Sequence, residues 1–165
     1  MTLITSGRKG AKMNLILVLL ALFALLLPVD GHAFKCSATT TPLNFSNYDV
    51  FSTLPLDSTG NVTISCTNPE AKPMQIEVTI SSGSSGSFNP RQMALAGASD
   101  RMNYYLFLDA SKTTIWGDGT GGTATFTSTV VRNPTVNAVI YGRVPARQNL
   151  RAGVYSDTLL ITVIW

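Results

Sequence analysis

The sequence predicts an all-β domain, and three observations carry that prediction. No stretch after residue 33 has a convincing helical period. Short runs instead alternate apolar and polar residues, and Gly, Ser, Asn and Pro separate them. Six to eight such strands in about 130 residues are typical of a β-sandwich with immunoglobulin-like dimensions. Periodicity alone also allows a jelly roll or a small barrel.

Residues 1–33 predict a signal peptide. Three basic residues precede an apolar run of 13 residues, Leu15–Leu27. Gly31 and Ala33 are small residues at the −3 and −1 positions of a cleavage site. The apolar run is short for a membrane-spanning helix, although a retained membrane anchor is the alternative. We therefore expect a mature domain of residues 34–165.

The charge of the predicted mature chain is nearly balanced. Residues 34–165 contain nine Lys and Arg residues and eight Asp and Glu residues. The basic isoelectric point of the whole chain, about 9.0, owes much to the leader. No nucleic-acid or anionic-membrane partner is predicted from it.

The clearest strand patterns occur in three places. Asn61–Cys66 alternates strictly, and Met74–Ser81 places four apolar residues on one face and polar residues on the other. Asn103–Asp109 is apolar on both faces, which predicts a central strand. Ser81–Pro90 reads as a loop, and the glycines of "GDGTGG" at 117–122 predict a hairpin turn.

Cys36 and Cys66 are the two cysteines of the chain. An even number of cysteines behind a signal peptide favours a disulfide. Without a histidine nearby, two cysteines cannot complete a zinc site.

Catalytic chemistry is poorly supported. The only histidine, His32, lies in the predicted leader, so the mature chain lacks the usual histidine-based catalytic groups and metal sites. A hydrolase that uses paired carboxylates is the remaining enzymatic alternative, but the acids are scattered. We predict no enzyme and no cofactor. Trp116, beside the predicted turn, is a candidate surface contact for a sugar, and core or rim packing is the alternative.

The C-terminal segment "YSDTLLITVIW", Tyr155–Trp165, predicts a hydrophobic β-strand. One face carries the residues that we predict as the edge and groove for a partner strand: Leu159, Ile161, Val163 and Trp165. Burying all four is worth at most about 6–12 kcal/mol. No Lys, Pro or Gly lies in 157–165 to protect an exposed edge. The alternative is that this strand is central or covered by the protein's own N-terminal residues.

Several blocks together resemble the spore coat protein U domain family, which includes subunits of archaic chaperone–usher pili. They are "FSNYDVFSTLPLDSTGNVTISCT" at 45–67, "RMNYYLFLD" followed by "IWGDGT", and "YGRVPARQNLRAGVYSDTLLITV" near the C-terminus. The resemblance spans the predicted mature chain, and the blocks follow the family's order.

The resemblance implies an immunoglobulin-like sandwich that lacks its last strand. A periplasmic chaperone would fill the gap first, and a strand donated by another pilus subunit would replace it at an outer-membrane usher. The implied role is a secreted structural subunit of a surface fibre, exported through the inner membrane and acting in adhesion or biofilm formation. A self-complete extracellular coat or carbohydrate-binding domain is the alternative.

One feature departs from this pattern. A polymerising subunit needs a donor segment before its first strand, yet only Phe34 and Lys35 precede Cys36 if cleavage follows Ala33. Either the cleavage site lies elsewhere, or this subunit accepts a strand without donating one.

Overall fold

The computed structural model describes residues 34–67, 72–132 and 134–165. The predicted signal peptide, residues 1–33, lies outside the described residues, and its cleavage stays a prediction. The described chain is built from strands, with one short 3-10 helix at Gly83–Ser85. The all-β prediction is therefore confirmed.

The described residues form strands with the following bounds: β1 Lys35–Thr41, β2 Leu56–Thr67, β3 Met74–Ile80, β4 Arg91–Leu95, β5 Arg101–Phe107, β6 Phe126–Val130, β7 Thr135–Val144, β8 Tyr155–Ser156 and β9 Ile161–Ile164.

Two antiparallel sheets make up the sandwich. The larger sheet has the order β1-β2-β7-β5-β4-β8, and the smaller has the order β6-β3-β9. The strand β5 lies between β7 and β4, so the prediction that Asn103–Asp109 is central is confirmed. Two separate sheets exclude the barrel alternative, and sheets of six and three strands differ from an eight-stranded jelly roll.

Alternation along β2 and β3 builds the core. Every second side chain of each strand is buried, and these side chains meet between the sheets: Val62, Ile64, Cys66, Ile76, Val78 and Ile80. The intervening polar residues face outward, as the sequence period requires.

The disulfide between Cys36 and Cys66 is confirmed. The two residues lie directly opposite each other in the β1–β2 ladder, with 4.1 Å between their Cα atoms. This cross-link ties the first strand of the larger sheet to its neighbour.

The prediction that Trp116 is a surface ligand contact is wrong. Its side chain is fully buried in the core, and its indole Nε1 donates a hydrogen bond to the Val78 carbonyl, 3.0 Å away. The turn at 117–122 does form, since the Ala124 amide donates to the Ile115 carbonyl across it. Trp116, which directly precedes that turn, therefore lies in the core and not at the surface.

The terminal segment is not one continuous strand. Tyr155–Ser156 (β8) pairs with β4 in the larger sheet, whereas Ile161–Ile164 (β9) pairs with β3 in the smaller one. The prediction of a single strand is wrong at 157–160, where the chain passes from one sheet to the other.

Candidate functional site: an open sheet edge beside an apolar cleft

The strand β9 forms one edge of the smaller sheet. Within the described part of the chain its ladder partner is β3 alone. The Ser81 amide donates to the Leu160 carbonyl, and the Leu160 amide donates to the Ser81 hydroxyl, each at 2.9 Å. Because backbone groups alternate sides along a strand, Ile161 and Val163 direct their N–H and C=O groups toward the free edge.

The same alternation sorts the side chains. Leu159, Ile161 and Val163 are half-buried and pack against the core, as predicted. Trp165 was assigned to this face, but it is 52% exposed and contacts the Phe34 ring, with 6.1 Å between ring centroids. Burial on this face is thus incomplete at its C-terminal end.

The outer face of the same segment is also apolar. Leu160 is 70% exposed and Ile164 is 49% exposed. Between them lies Thr162, which is exposed as well. The edge therefore presents apolar side chains on both sides of the sheet.

A cleft of about 1070 Å³ lies beside this edge. One wall is the segment 150–159 with Ile161, and the opposite wall is the segment 40–51. The floor consists of side chains from three strands of the larger sheet: Met93, Met102, Tyr104, Leu106 and Ile140. These floor residues were not predicted from the sequence, although the two-sided apolar pattern of 103–109 predicts that this strand is central.

Among the described residues, none covers the inner face of β1 at Ala38 and Thr40. Ala38 and Thr40 lie opposite Ile64 and Val62 in the ladder, so all four side chains point to the same face of the sheet. Ile64 and Val62 are fully buried, whereas Ala38 and Thr40 are exposed. The smaller sheet thus covers β2 but not β1.

The wall at 40–51 is held by Tyr48. Its hydroxyl donates to the Pro145 carbonyl and accepts from the Gln148 amide, both at 2.8 Å. This role was not predicted from the sequence, because the aromatic residues of "FSNYDVF" at 45–51 recur at every third position, which is not the period of a strand.

Leu43 and Phe45 pack the same wall against the larger sheet at Gly142. A Cβ atom at Gly142 would lie 2.7 Å from a terminal carbon of each side chain. The absence of a side chain at Gly142 therefore makes room for both residues.

Asp157 fixes the segment that crosses between the sheets. Its Oδ2 accepts a hydrogen bond from the Tyr104 hydroxyl at 2.7 Å, and its Oδ1 accepts from the amides of Ser84 and Thr158. Burial raises the pKa of Tyr104, and the bond to Asp157 raises it further, so the phenol remains a donor. This local bonding interrupts the strand that the sequence predicted.

Arg91 is a buried cation behind this crossing. Its Nε donates to the Ser81 carbonyl at 3.0 Å and its Nη2 to the Trp116 carbonyl at 2.7 Å. The guanidinium also lies over the Phe88 ring, 5.0 Å from its centroid. Burial lowers the pKa of Arg91, and the carboxylate of Asp157 opposes that shift. Arg91 thus holds the end of β3 where the terminal segment joins it.

No cluster of three metal-ligating side chains occurs among the described residues. Nor does that part of the chain contain a helix with the length and apolarity to cross a membrane. The chemistry that this site offers is strand pairing along β9 and apolar burial in the cleft.

Comparisons with known proteins identify the family of this chain and agree with its fold. Residues 24–162 match the Spore Coat Protein U domain, a match that begins inside the predicted leader. Protein U of Myxococcus xanthus is 30% identical over 128 residues, which cover 73% of this chain and 70% of that protein.

The fold also resembles a solved chain from the CsuC-CsuE chaperone-tip adhesion subunit pre-assembly complex of the archaic chaperone-usher Csu pili of Acinetobacter baumannii. The TM-score is 0.56 and the identity is 22%; the likeness covers 81% of this chain and 40% of the solved one. This chain thus spans two fifths of that chain. Because of the match over residues 24–162 and the similarity to Protein U, the chain belongs to the Spore Coat Protein U domain family.

Proposed function

We propose that this protein is a structural subunit of a chaperone–usher surface fibre, completed by a β-strand that another chain donates. One observation carries the proposal: the free edge of β9 borders an apolar cleft, and across it no described residue covers the inner face of β1 at Ala38 and Thr40. A single added strand would pair with the first and cover the second.

Strand addition accounts for both parts of the site. The outward backbone groups of Ile161 and Val163 would form hydrogen bonds with the added strand whatever its sequence, and these bonds give affinity. The floor and walls of the cleft would receive alternate side chains of the added strand, which give specificity.

The partners follow from this role. A periplasmic chaperone would supply the first strand, a second subunit would supply its replacement, and an outer-membrane usher would host the exchange. The fold likeness to a chain of a chaperone-subunit complex supports a chaperone and a second subunit as partners, whereas the usher follows from the family resemblance alone. The leader predicted at 1–33 supports export to the periplasm and then to the cell surface, where such a fibre would serve adhesion or biofilm formation.

The N-terminus favours a subunit that accepts a strand. With cleavage after Ala33, only Phe34 and Lys35 would precede Cys36, and the ring of Phe34 already contacts Trp165. This subunit would then accept a strand from another chain without donating one.

The family's name refers to a coat protein, and a coat domain that is stable by itself is the second candidate. Sugar binding through Trp116 no longer supports that candidate, because this side chain is buried. The two candidates differ in whether the cleft must be filled.

A fused donor strand tests the proposal. An Asn-Gly turn after Trp165 would return the chain along β9, since two-residue hairpins place the flanking residues in a hydrogen-bonded pair. Counting from the turn, positions 3, 5 and 7 of the fused strand would then lie opposite Val163, Ile161 and Leu159. Apolar residues at those positions would point into the cleft.

The matched control carries the same residues shifted by one position, which turns every apolar side chain to the opposite face. We expect the in-register fusion to raise the unfolding free energy by about 3 kcal/mol or more over the shifted one, since each buried apolar side chain contributes roughly 1.5–3 kcal/mol. Urea titrations of both fusions and of the unfused protein measure this. Equal stability of all three would refute the proposal.

A further inference from the structure

The free edge of β9 is self-complementary. Residues 159–165 read Leu-Leu-Ile-Thr-Val-Ile-Trp, with three apolar residues on each side of Thr162. An antiparallel copy of the same segment, centred on Thr162, would therefore place an apolar residue opposite each apolar residue. A two-fold axis through Thr162 is the symmetry that this pattern allows.

The backbone register agrees with that symmetry. Ile161 and Val163 point their N–H and C=O groups to the free edge, because Leu160 bonds to Ser81 on the other side. A second copy centred on Thr162 brings Ile161 opposite Val163 of the second copy. These residues are the ones with free backbone groups, so each pair can exchange two hydrogen bonds.

The outer face adds a reason for this centre. Leu160 would lie opposite Ile164 of the second copy, and these two residues are 70% and 49% exposed in the single chain. A centre on Ile161 or Val163 would instead set an apolar side chain against Thr162 on that face. Centring on Thr162 covers both apolar residues and pairs the two threonines.

The opposite edge of the same sheet lacks these properties. The strand β6 presents Thr127 and Thr129 outward, and its pairing with β3 leaves a polar outer face. Charges protect neither edge, but only β9 combines an uncharged edge with apolar residues on both faces.

We infer that β9 is also a homotypic interface: a second copy of this chain pairs edge to edge with it, antiparallel and centred on Thr162. The result would be a six-stranded sheet across two molecules, with the order β6-β3-β9-β9-β3-β6. This pairing uses the edge that a donated strand would use, so the two states exclude each other. It does not depend on the proposed function.

Cysteine cross-linking tests the axis. In a non-hydrogen-bonded antiparallel pair the Cα atoms lie about 4.5 Å apart, within the range for a disulfide. We expect Thr162→Cys, in protein exported with its own leader, to form a disulfide-linked dimer under mild oxidation. Thr129→Cys, at an exposed threonine on the other edge strand, is the matched control and should link at least several-fold less.

Two further cysteine variants test the register. Leu160→Cys and Ile164→Cys should each link poorly with themselves, because four residues along a strand separate like positions by about 13 Å. A mixture of the two variants should link efficiently. Efficient self-linking of either variant would overturn the proposed centre.

The unlinked protein must show the same association. Sedimentation equilibrium should detect a dimer that Thr162→Lys abolishes, because two like charges would face each other on the axis, whereas Thr129→Lys should leave the dimer intact. A monomer at all concentrations, or a dimer that Thr162→Lys leaves unchanged, would overturn the inference.

The outcomes also separate this inference from strand donation. Stabilisation by the in-register fusion without cross-linking of Thr162→Cys would refute the dimer and leave strand donation standing. Cross-linking of Thr162→Cys without stabilisation by the in-register fusion would support the dimer and refute strand donation. A cysteine at 162 that neither links nor reacts with a small maleimide would show an edge covered by the chain's own residues, which overturns the inference.

Discussion

The first strand should depend on the disulfide more than any other part of the sandwich does. Almost all of the β1 side chains are exposed, and Cys36 is one of the few contacts that β1 makes with the core. Replacing both cysteines, Cys36→Ala with Cys66→Ala, keeps small apolar groups in place and removes only the cross-link. We expect β1 to detach from β2 before the rest of the sandwich unfolds.

The size of the effect follows from the loop that the disulfide closes. Cys36 and Cys66 are 30 residues apart. In the chain-entropy account, closing a loop of this length stabilises the fold by about 3.5 kcal/mol. For a domain of about 130 residues, that loss should lower the melting temperature by roughly 10–15 °C.

Two measurements check this expectation. Thermal unfolding followed by circular dichroism should give the predicted drop, and the wild-type protein under reducing conditions should behave like the double variant. Hydrogen exchange should show faster exchange in β1, while the β2–β7 ladder stays protected. A drop below about 4 °C, or an equal loss of protection in β1 and β7, would refute the reasoning.

Three further perturbations have defined outcomes. Asp109 accepts hydrogen bonds from the backbone amides of Thr113 and Thr114, which lower its pKa to about 2; its stabilising effect is therefore present above about pH 4 and lost toward pH 2. Acid titrations of unfolding should be flatter in Asp109→Asn. Burial raises the pKa of Tyr104 above its usual 10, so its contribution to stability holds below pH 10 and declines above it. Tyr104→Phe should lower the unfolding free energy by about 1.5–3 kcal/mol at neutral pH, because the bond to a carboxylate disappears. The unfolding free energy of this variant should fall less than that of the wild type between pH 9 and 11. Trp116→Phe should cost at least about 1 kcal/mol in urea titrations, since it removes a buried hydrogen bond and part of a fully buried side chain, and no loss would contradict its structural role.

Local alternation predicted the core strands because burial there repeats every two residues. The strands at Asn61–Cys66 and Met74–Ser81 have the inward residues that their sequences indicate. The inward assignments of Leu159, Ile161 and Val163 are confirmed for the same reason. The partner role assigned to that edge stays a proposal.

Long-range contacts explain what the sequence could not predict. Trp116 lies beside a turn, but its burial depends on Val78, which is 38 residues away. The break in the terminal strand depends on Tyr104 and Ser84, which bind Asp157 from distant parts of the chain. A cleft is likewise a property of segments that meet in space, so the wall held by Tyr48 could not be read from periodicity.

The passage of the terminal segment from one sheet to the other has a mechanical consequence. A pull along β9 would act parallel to the strand and load its hydrogen bonds to β3 in shear, so that they resist together rather than one at a time. Upstream, the same segment pairs with β4 through Tyr155 and Ser156, and the bonds of Asp157 lie between the two ladders. Tension on this one strand would thus be shared by both layers of the sandwich, as the proposed role in a surface fibre would require.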